Sequence, residues 1–432
     1  MKTPSSVHLG TYGECRFFAY RNLDEITGLW RQLERNGTHS PFQSLAWTQA
    51  IVAAKALTGD QQHVFAVGFV GTKPVVILPF TMHRGTFGLR LTWLGEKMSD
   101  YNGIIADRSY AASMPDGLVC RVVAMLRVAF PAIQAVHLIR NPVGRFGIEQ
   151  TRKPGATVST AEFKSHSVTL QGNWTELYAR LRSAKSRQRL RSKYRSLKKL
   201  GDVRFRQVRG EHERRALARR VLQWKSEQLM ASGRRDPFGN AAAPSAIRKA
   251  IESAVTSDDS HALRAFGLFL DDEPVAGMLA FVTEDTFYYF VSAYTPSLDG
   301  KYSIGVQLLV RTLELASRSG LKRYDFLIGD ESYKSDWCDT EMPLVNYARP
   351  FSLQGKLICL SLELRLACKK LILEKDWLSH IARRTLKVRS RIEPAGTIPV
   401  SSLMFGVAPA GQPRLSGKMT EGKFWLKTPE DA

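Results

Sequence analysis

Between positions 323 and 337 the chain reads Arg-Tyr-Asp-Phe-Leu-Ile-Gly-Asp-Glu-Ser-Tyr-Lys-Ser-Asp-Trp, a strand-like run that ends at Gly329. Two carboxylates (Asp330, Glu331), a phenol (Tyr333), an ammonium (Lys334) and an indole (Trp337) then follow within a turn or so of helix. Tyr324, Phe326 and Ile328 share one strand face, and the glycine frees the backbone to turn. In α/β proteins chemistry gathers where strands end, and a partly desolvated carboxylate there suits a general base. Asp330 and Glu331 are equally good helix-capping residues, and Lys334 an equally good i, i+4 partner for Asp330. Trp337 suits a cleft wall or core better than a platform for sugar.

A second stretch that could do chemistry lies just upstream. A strand over 287–293 runs into Tyr-Thr-Pro-Ser-Leu-Asp-Gly-Lys-Tyr-Ser-Ile-Gly-Val (294–306), after which the spacing predicts a helix over 303–319, closed by Gly320. Backbone N–H groups at such a helix start, with glycine permitting close approach and Lys301 adding charge, suit a pyrophosphate.

The positioning elements show an internal repeat. Residues 67–80 and 267–281 both read as strand, tight turn and strand, each with a proline (Pro74, Pro274) at the entry of the second strand. Duplicated halves are the sharper reading of this likeness. Helices are expected over 23–34, 47–56 and 118–130, and strands over 92–95, 103–106 and 135–140. The second half should contain a strand to about Leu270, strands over 275–283 and 287–293, and a last strand over 342–351. This gives a domain over 1–160, a second over 161–352, and an extension over 353–432 whose first part, 353–388, is a basic, leucine-rich helix.

The 432 residues exceed one ordinary core, and 44% apolar with 24% charged residues is a globular composition. Five scattered cysteines argue against a disulfide framework, and nine histidines without His-x-x-x-His spacing lead us to expect no metal. Residues 1–13 are polar, and no stretch reaches the roughly 20 apolar residues of a spanning helix, so a cytoplasmic setting is expected. Peripheral contact with the inner membrane through the C-terminal basic helix stays open, as does the oligomeric state. The formal charge of +22 is concentrated: residues 180–200 hold ten Lys or Arg and no acid. Leu181, Leu190, Tyr194, Leu197 and Leu200 recur there at near-helical spacing, so one helix with a strongly positive face is expected, suited to a polyanion.

The order of hairpin, strand, phosphate-type loop, helix, strand and tyrosine-bearing helix resembles the GNAT acyl-CoA transferases. In detail the chain resembles the CelD/BcsL-like GNAT family associated with bacterial cellulose and exopolysaccharide clusters. The residues that carry this likeness are Pro-Phe-Gln-Ser-Leu-Ala-Trp (41–47), Leu-Gly-Glu-Lys-Met-Ser-Asp-Tyr (94–101), Lys-Lys-Leu-Gly (198–201), Trp-Lys-Ser-Glu-Gln (224–228), Lys-Tyr-Ser-Ile-Gly (301–305) and the 324–334 segment. The family usually has proline where Ile304 stands. The resemblance implies an α/β (α+β) fold of two tandem GNAT units with mixed central sheets flanked by helices, the first unit degenerate. It further implies acetyl-CoA or another acyl-CoA held by Lys301, Tyr302, Ser303, Ile304, Gly305 and Val306, with the thioester carbonyl received near Ser292 and Ala293. Tyr333 would hydrogen-bond the departing sulfur, with Asp330 or Glu331 as base. Asp100, Tyr101, Trp224, Lys225, Lys334 and Trp337 would face a sugar or polysaccharide-related acceptor, acylated on nitrogen or oxygen. Two alternatives remain: a Fem-type transferase, fed by aminoacyl-tRNA held on the basic helix, and a non-catalytic polyanion-binding protein that retains the fold.

Overall fold

A computed structural model describes residues 6–56, 61–143, 156–161, 163–234, 236–239, 244–329 and 332–374. The first half comprises β1 (Ser6–Tyr12), β2 (Cys15–Tyr20), α1 (Thr27–Asn36), β3 (Gly37–Thr38), α2 (Leu45–Ala56), β4 (Gln61–Val70), β5 (Lys73–Gly85), β6 (Gly88–Trp93), β7 (Ile105–Asp107), α3 (Arg108–Ala112), α4 (Leu118–Ala129), β8 (Ile133–Pro142) and β9 (Thr157–Thr160). The second comprises β10 (Ser165–Thr169), α5 (Trp174–Leu181), α6 (Ala184–Leu197), β11 (Val203–Val208), α7 (Glu211–Ala231), α8 (Ala246–Thr256), β12 (Arg264–Leu270), β13 (Glu273–Val282), β14 (Thr286–Tyr294), α9 (Pro296–Tyr302), α10 (Ile304–Arg318), β15 (Arg323–Ile328), α11 (Ser332–Ser335) and β16 (Thr340–Met342). β17 (Leu344–Pro350) and α12 (Leu353–Glu374) follow.

One mixed sheet runs β1-β2-β4-β5-β6-β8-β17-β9, with the short β7 joining β3 to β5, and the other runs β11-β12-β13-β14-β15-β10-β16. The expected hairpins are β4–β5 and β12–β13, and their likeness extends to a shared irregularity. Phe69 pairs with Pro74 after a register shift at Gly68, and Phe269 pairs with Pro274 after a shift at Leu268. The proline cannot donate to the ladder, which is one reason each hairpin bulges at that point. Each half then adds a parallel pair at the equivalent place, β6 with β8 and β14 with β15. The repeat is thus structural, down to the same bulge.

The halves exchange strands. The segment expected as the last strand of the second half leaves that half and lies between β8 and β9 of the first sheet. It is held there partly by side chains: Asn346 accepts from the Arg140 amide at 3.0 Å, and Asn141 donates to the Val345 carbonyl at 2.8 Å. One apolar core spans both halves, with Phe42 and Trp47 of the first packed edge-on against Phe281 and Phe290 of the second at 5.3–5.5 Å. Edge-to-face contacts match the positive ring edge to the negative face, which favours one docking angle.

Two expectations need revision. The basic stretch 180–200 is two helices, because the Ser183 side chain accepts from the Ser186 amide and so starts α6 afresh. The long helices α7 and α8 were not foreseen. α7 buries Leu217, Val221, Leu222 and Leu229 among many charges, and their spacing is hard to see in sequence. Of the C-terminal extension, α12 covers the first part, and the segments 375–388 and 391–432 lie outside the described residues. Cys15, Cys120, Cys338 and Cys359 are unbridged. Among the described residues no helix is long and apolar enough to cross a membrane.

Burial pushes the imidazoles of His63, His83 and His137 down to about 4. Burial alone would raise Glu96, but Arg90, His83 and Lys55 hold it down at about 2. As pH falls below about 6.5 the unfolded chain takes up histidine protons that the folded chain refuses until about 4, so stability falls across that window. Urea unfolding between pH 7 and pH 4 should show this loss, and His137→Gln should lessen the slope by about one proton. A slope unchanged in that variant would contradict the assignment.

Candidate active site

The candidate site forms where β14 and β15 part. Their parallel ladder has three pairs, ending at Tyr288 with Asp325, although β14 continues to Tyr294 and β15 to Ile328. Beyond that rung the two strands diverge into a wedge. β15 leaves regular geometry here: its register with β10 shifts between Ser165 and Ser167, Leu327 adopts φ 60°, and Gly329 adopts φ 135°. A leucine in the left-handed region costs roughly 1–3 kcal/mol, and strain of this kind gathers at functional sites. The Asp325 carboxylate holds the distortion by accepting from the Leu327 amide at 2.7 Å.

Asp325 also receives the first half. Tyr101 donates its hydroxyl to Asp325 at 2.8 Å, with Ser165 Oγ 2.6 Å from the Tyr101 hydroxyl, and both Tyr101 and Asp325 are buried. Burial, reinforced by the Asp325 charge, raises the Tyr101 pKa well above its ordinary value, so the phenol stays protonated and remains a donor. Asp100 beside it is buried too. Of the pair Asp100 and Tyr101, expected at the acceptor side, Tyr101 thus reaches the mouth of the wedge from the other half of the chain.

The expected phosphate loop is the junction of α9 and α10. Ser303 takes φ 52°, and α10 begins at Ile304 with Gly305 in its first turn. Gly305 is required by close approach, since a Cβ there would lie 2.6 Å from the Tyr294 ring. Its amide donates to Asp299 Oδ1 at 3.2 Å, so a carboxylate already caps this helix start. Burial raises the Tyr294 pKa, and Asp299, which its hydroxyl also meets, raises it further. Tyr302 and Ile304 are buried, Ser303 and Val306 are half-buried, and Lys301 is exposed with its ammonium 5.1 Å from the Tyr302 ring centre. Ser292 and Ala293 lie on the parted end of β14.

The basic helix comes to the same place. Lys193 of α6 donates to Ser303 Oγ at 2.7 Å, Gln307 of α10 donates to the Leu190 carbonyl at 2.9 Å, and Arg311 sits 4.7 Å from the Tyr194 ring centre. Leu190, Tyr194 and Leu197 pack inward, while Lys185, Arg189, Arg191, Arg195, Lys198 and Lys199 are exposed. Two features that were separate in sequence are one surface: a positive helix face beside a helix N-terminus.

After β15 the chain turns into α11. Tyr333 is half-buried, its ring edge-on to Phe326 at 6.3 Å. Lys334 is fully buried and donates to the Ile328 carbonyl at 2.9 Å, which closes the strand end. Trp337 is buried, parallel to Tyr178 at 6.4 Å and capped by the Arg182 guanidinium at 4.9 Å, so it is wall rather than an open platform. Asp330 and Glu331 lie outside the described residues. Trp224 and Lys225 are 4% and 1% exposed within α7, which removes them from an open acceptor surface. α7 and α10 cover opposite sheet faces: Gly277 of β13 lies against Leu217 and Val221 of α7, while neighbouring Met278 faces Tyr324 and, through it, Thr312 of α10. From α7 it is Gln228 that reaches the site, donating to the Tyr294 carbonyl at 3.1 Å.

The equivalent wedge in the first half is filled. The β6–β8 ladder ends at Leu91 with Val136, and beyond it Trp93 donates to Asn141 at 2.7 Å while Asn102 binds the Arg140 and Ile139 carbonyls. Segment 94–104 is therefore a plug. A surface depression lined by Arg21, Gln62, Arg84 and Phe130 belongs wholly to the first half and shares no residue with the wedge.

A mixed sheet whose parallel strands part beside a helix N-terminus defines an acyltransferase architecture of the GNAT type. Residues 184–335 match the acetyltransferase (GNAT) domain family, and that segment holds α6, the wedge, the α10 start and α11. The second half is thus a GNAT-type acyltransferase domain, and the first repeats its core fold. Among solved structures FemX is similar over 79% of this chain and 99% of its own, with TM-score 0.51 and 12% identity, which shows a shared fold. L-PGS from Bacillus licheniformis gives TM-score 0.47 and 12% identity, covering 78% of this chain and 95% of its own. A conserved protein of unknown function from Bacteroides thetaiotaomicron gives 0.46 and 12%, covering 76% and 97%. No protein of curated function matches the sequence.

Asp325, Asp299 and Lys193 are the site residues that sequence reasoning missed. A carboxylate in the middle of an otherwise apolar strand was the available signal for Asp325. Tyr101→Phe should destabilise the protein by about 1–3 kcal/mol, because it removes a donor from a buried carboxylate; urea unfolding with an unchanged midpoint would contradict the strut role. Asp299→Ala should bind CoA about fivefold more tightly by calorimetry, equivalent to roughly 1 kcal/mol for a competing anion at a helix start. Unchanged or weaker binding would show that the carboxylate does not compete.

Proposed function

We propose that the protein transfers an acyl group from a CoA thioester to an amino or hydroxyl group of a sugar precursor or polysaccharide-related acceptor. The observation that carries this reading is the convergence of the β14–β15 wedge, the α10 N-terminus and the cationic face of α6. A pantetheine arm is an extended chain with amide groups that can pair with parted strand edges, while its pyrophosphate requires N–H groups and cations. The thioester would then lie near Ser292 and Ala293. The acceptor nitrogen or oxygen attacks the carbonyl carbon and forms the new bond, its proton passing to a base among Asp330 and Glu331. The carbon–sulfur bond breaks as the thiolate leaves with a proton from Tyr333. The seam at Tyr101 and Asp325 sets the first half against the end of the β14–β15 ladder, so that half would wall the acceptor side. The saccharide acceptor rests on the family resemblance of the sequence.

A second reading, an aminoacyl-tRNA donor, is favoured by one observation. Asp299 already fills the Gly305 amide, whereas α6 presents 14 residues of helix rich in arginine and lysine beside it. A donor that relies on the cation face rather than the cradle would be a longer polyanion, and its binding should fall steeply with salt.

Thermal shift separates the two readings. Acetyl-CoA or a longer acyl-CoA at about 100 times Kd should stabilise the protein by about 2.7 kcal/mol. Stabilisation by aminoacyl-tRNA with none from any CoA species would instead select the second reading. Tyr333→Phe should lower kcat about 100-fold with little change in KM if the phenol protonates the leaving thiolate. Unchanged turnover and pH profile would remove Tyr333 from the mechanism.

A further inference from the structure

The sequence left one route to a metal, ligands assembled from distant positions, and the fold brings one such set together. Glu34, near the end of α1, meets Asp259 and His261 of the loop before β12, so the two halves supply the cluster jointly. His261 Nδ1 lies 3.7 Å from Glu34 Oε1 and 3.6 Å from Asp259 Oδ1, and the ligand atoms of all three residues lie within 4.8 Å of one another. Donors around a tetrahedral zinc, each about 2.0–2.1 Å from the ion, are spaced about 3.4 Å apart. Two of the three spacings are therefore within a few tenths of an ångström of a metal shell.

A second observation points the same way. His39 stands beside the cluster with its ring edge-on to His261, centroids 5.8 Å apart. Both His39 ring nitrogens are sealed from solvent, and among the described residues neither has a hydrogen-bond partner. A buried imidazole without a partner forfeits its hydrogen bonds unless something else engages it. Glu34 is 7% exposed, and it and Asp259 approach the same imidazole from the two halves, so two carboxylates converge where a counter-charge would be favourable.

The other contacts are compatible with a ligand role. Glu34 Oε1 also accepts from the Leu45 amide at 3.0 Å, and Asp259 Oδ1 accepts from the His261 amide at 2.8 Å, which leaves lone pairs on both carboxylates. The Ser260 hydroxyl sits 3.2 Å from His261 Nδ1 and must turn away when that nitrogen takes a metal. We infer that Glu34, Asp259 and His261, with the neighbouring imidazole of His39 as a fourth donor, form a structural site for a divalent transition metal that staples the two halves together. Two imidazoles and two carboxylates are a borderline donor set, which suits Zn2+ better than Ca2+ or Mg2+.

The test uses the full chain, tag removed, stripped with EDTA and then titrated with ZnCl2 against a competing chelator. One Zn2+ per chain should be retained through gel filtration, the melting temperature should rise, and Co2+ should give the intense visible absorption of four-coordinate geometry. His261→Gln and Asp259→Asn alter side chains that are 28% and 29% exposed, so both variants should fold. Each should weaken Zn2+ at least about tenfold and lose the Co2+ band, and His39→Gln should do the same. Substoichiometric Zn2+ in the wild-type chain, or equal retention by all three variants, would overturn the site.

Discussion

The buried hydrogen bond from Tyr101 to Asp325 fixes one half of the molecule against the other at the place where chemistry is possible. Its geometry is demanding on both sides. Asp325 is committed at once to Tyr101 and to the Leu327 amide, so the same carboxylate that receives the first half also holds the distorted end of β15. A shift of the seam would therefore move the strand end, and a relaxed strand end would lose the seam. The aromatic contacts of Phe42 and Trp47 with Phe281 and Phe290 add apolar burial, but non-directional burial alone would tolerate many docking angles. The polar contact selects among them.

The two halves follow one plan and diverge at one point. Each has a bulged hairpin followed by parallel strands whose ladder stops early. In the first, Trp93, Asn102 and Asn141 fill the opening and satisfy its backbone. In the second the opening is flanked by a helix start and a cationic helix. Backbone groups at the first opening that are consumed from within offer little to an outside ligand. The second copy shows a weaker form of the same trend, since Asp299 has taken one amide of the helix start while α6 supplies the compensating positive field.

Much of this was legible in the sequence, for definable reasons. The hairpins could be read because a tight turn followed by proline is a local signal, and α10 because Gly320 ends it with φ 75°. Tyr101 could be placed near the acceptor side only by resemblance, as its partner is 224 positions away and nothing local announces it. The destination of β17 was hidden for the same reason: an apolar strand does not say which sheet it joins. The break between α5 and α6 lay in a single serine within a run of cations, where charge masks the capping signal. Trp224 and Lys225 were drawn toward the site by their motif, whereas packing turned them inward and left Gln228 to make the contact.

The insertion of β17 between β8 and β9 bears on how the chain reaches this state during synthesis. The first sheet lacks an interior strand until residues beyond 344 have left the ribosome, so the N-terminal half cannot close its sheet as an early, independent unit. Until then β8 presents an unpaired edge, a template for wrong partners. Pairings across some 200 residues also make the search long, because loop entropy must be lost before those contacts form. The two GNAT-like halves are interlaced by this exchange, and the GNAT-matched segment 184–335, taken alone, would carry β11 to β15 without β10 and β16, an incomplete sheet rather than a spare domain.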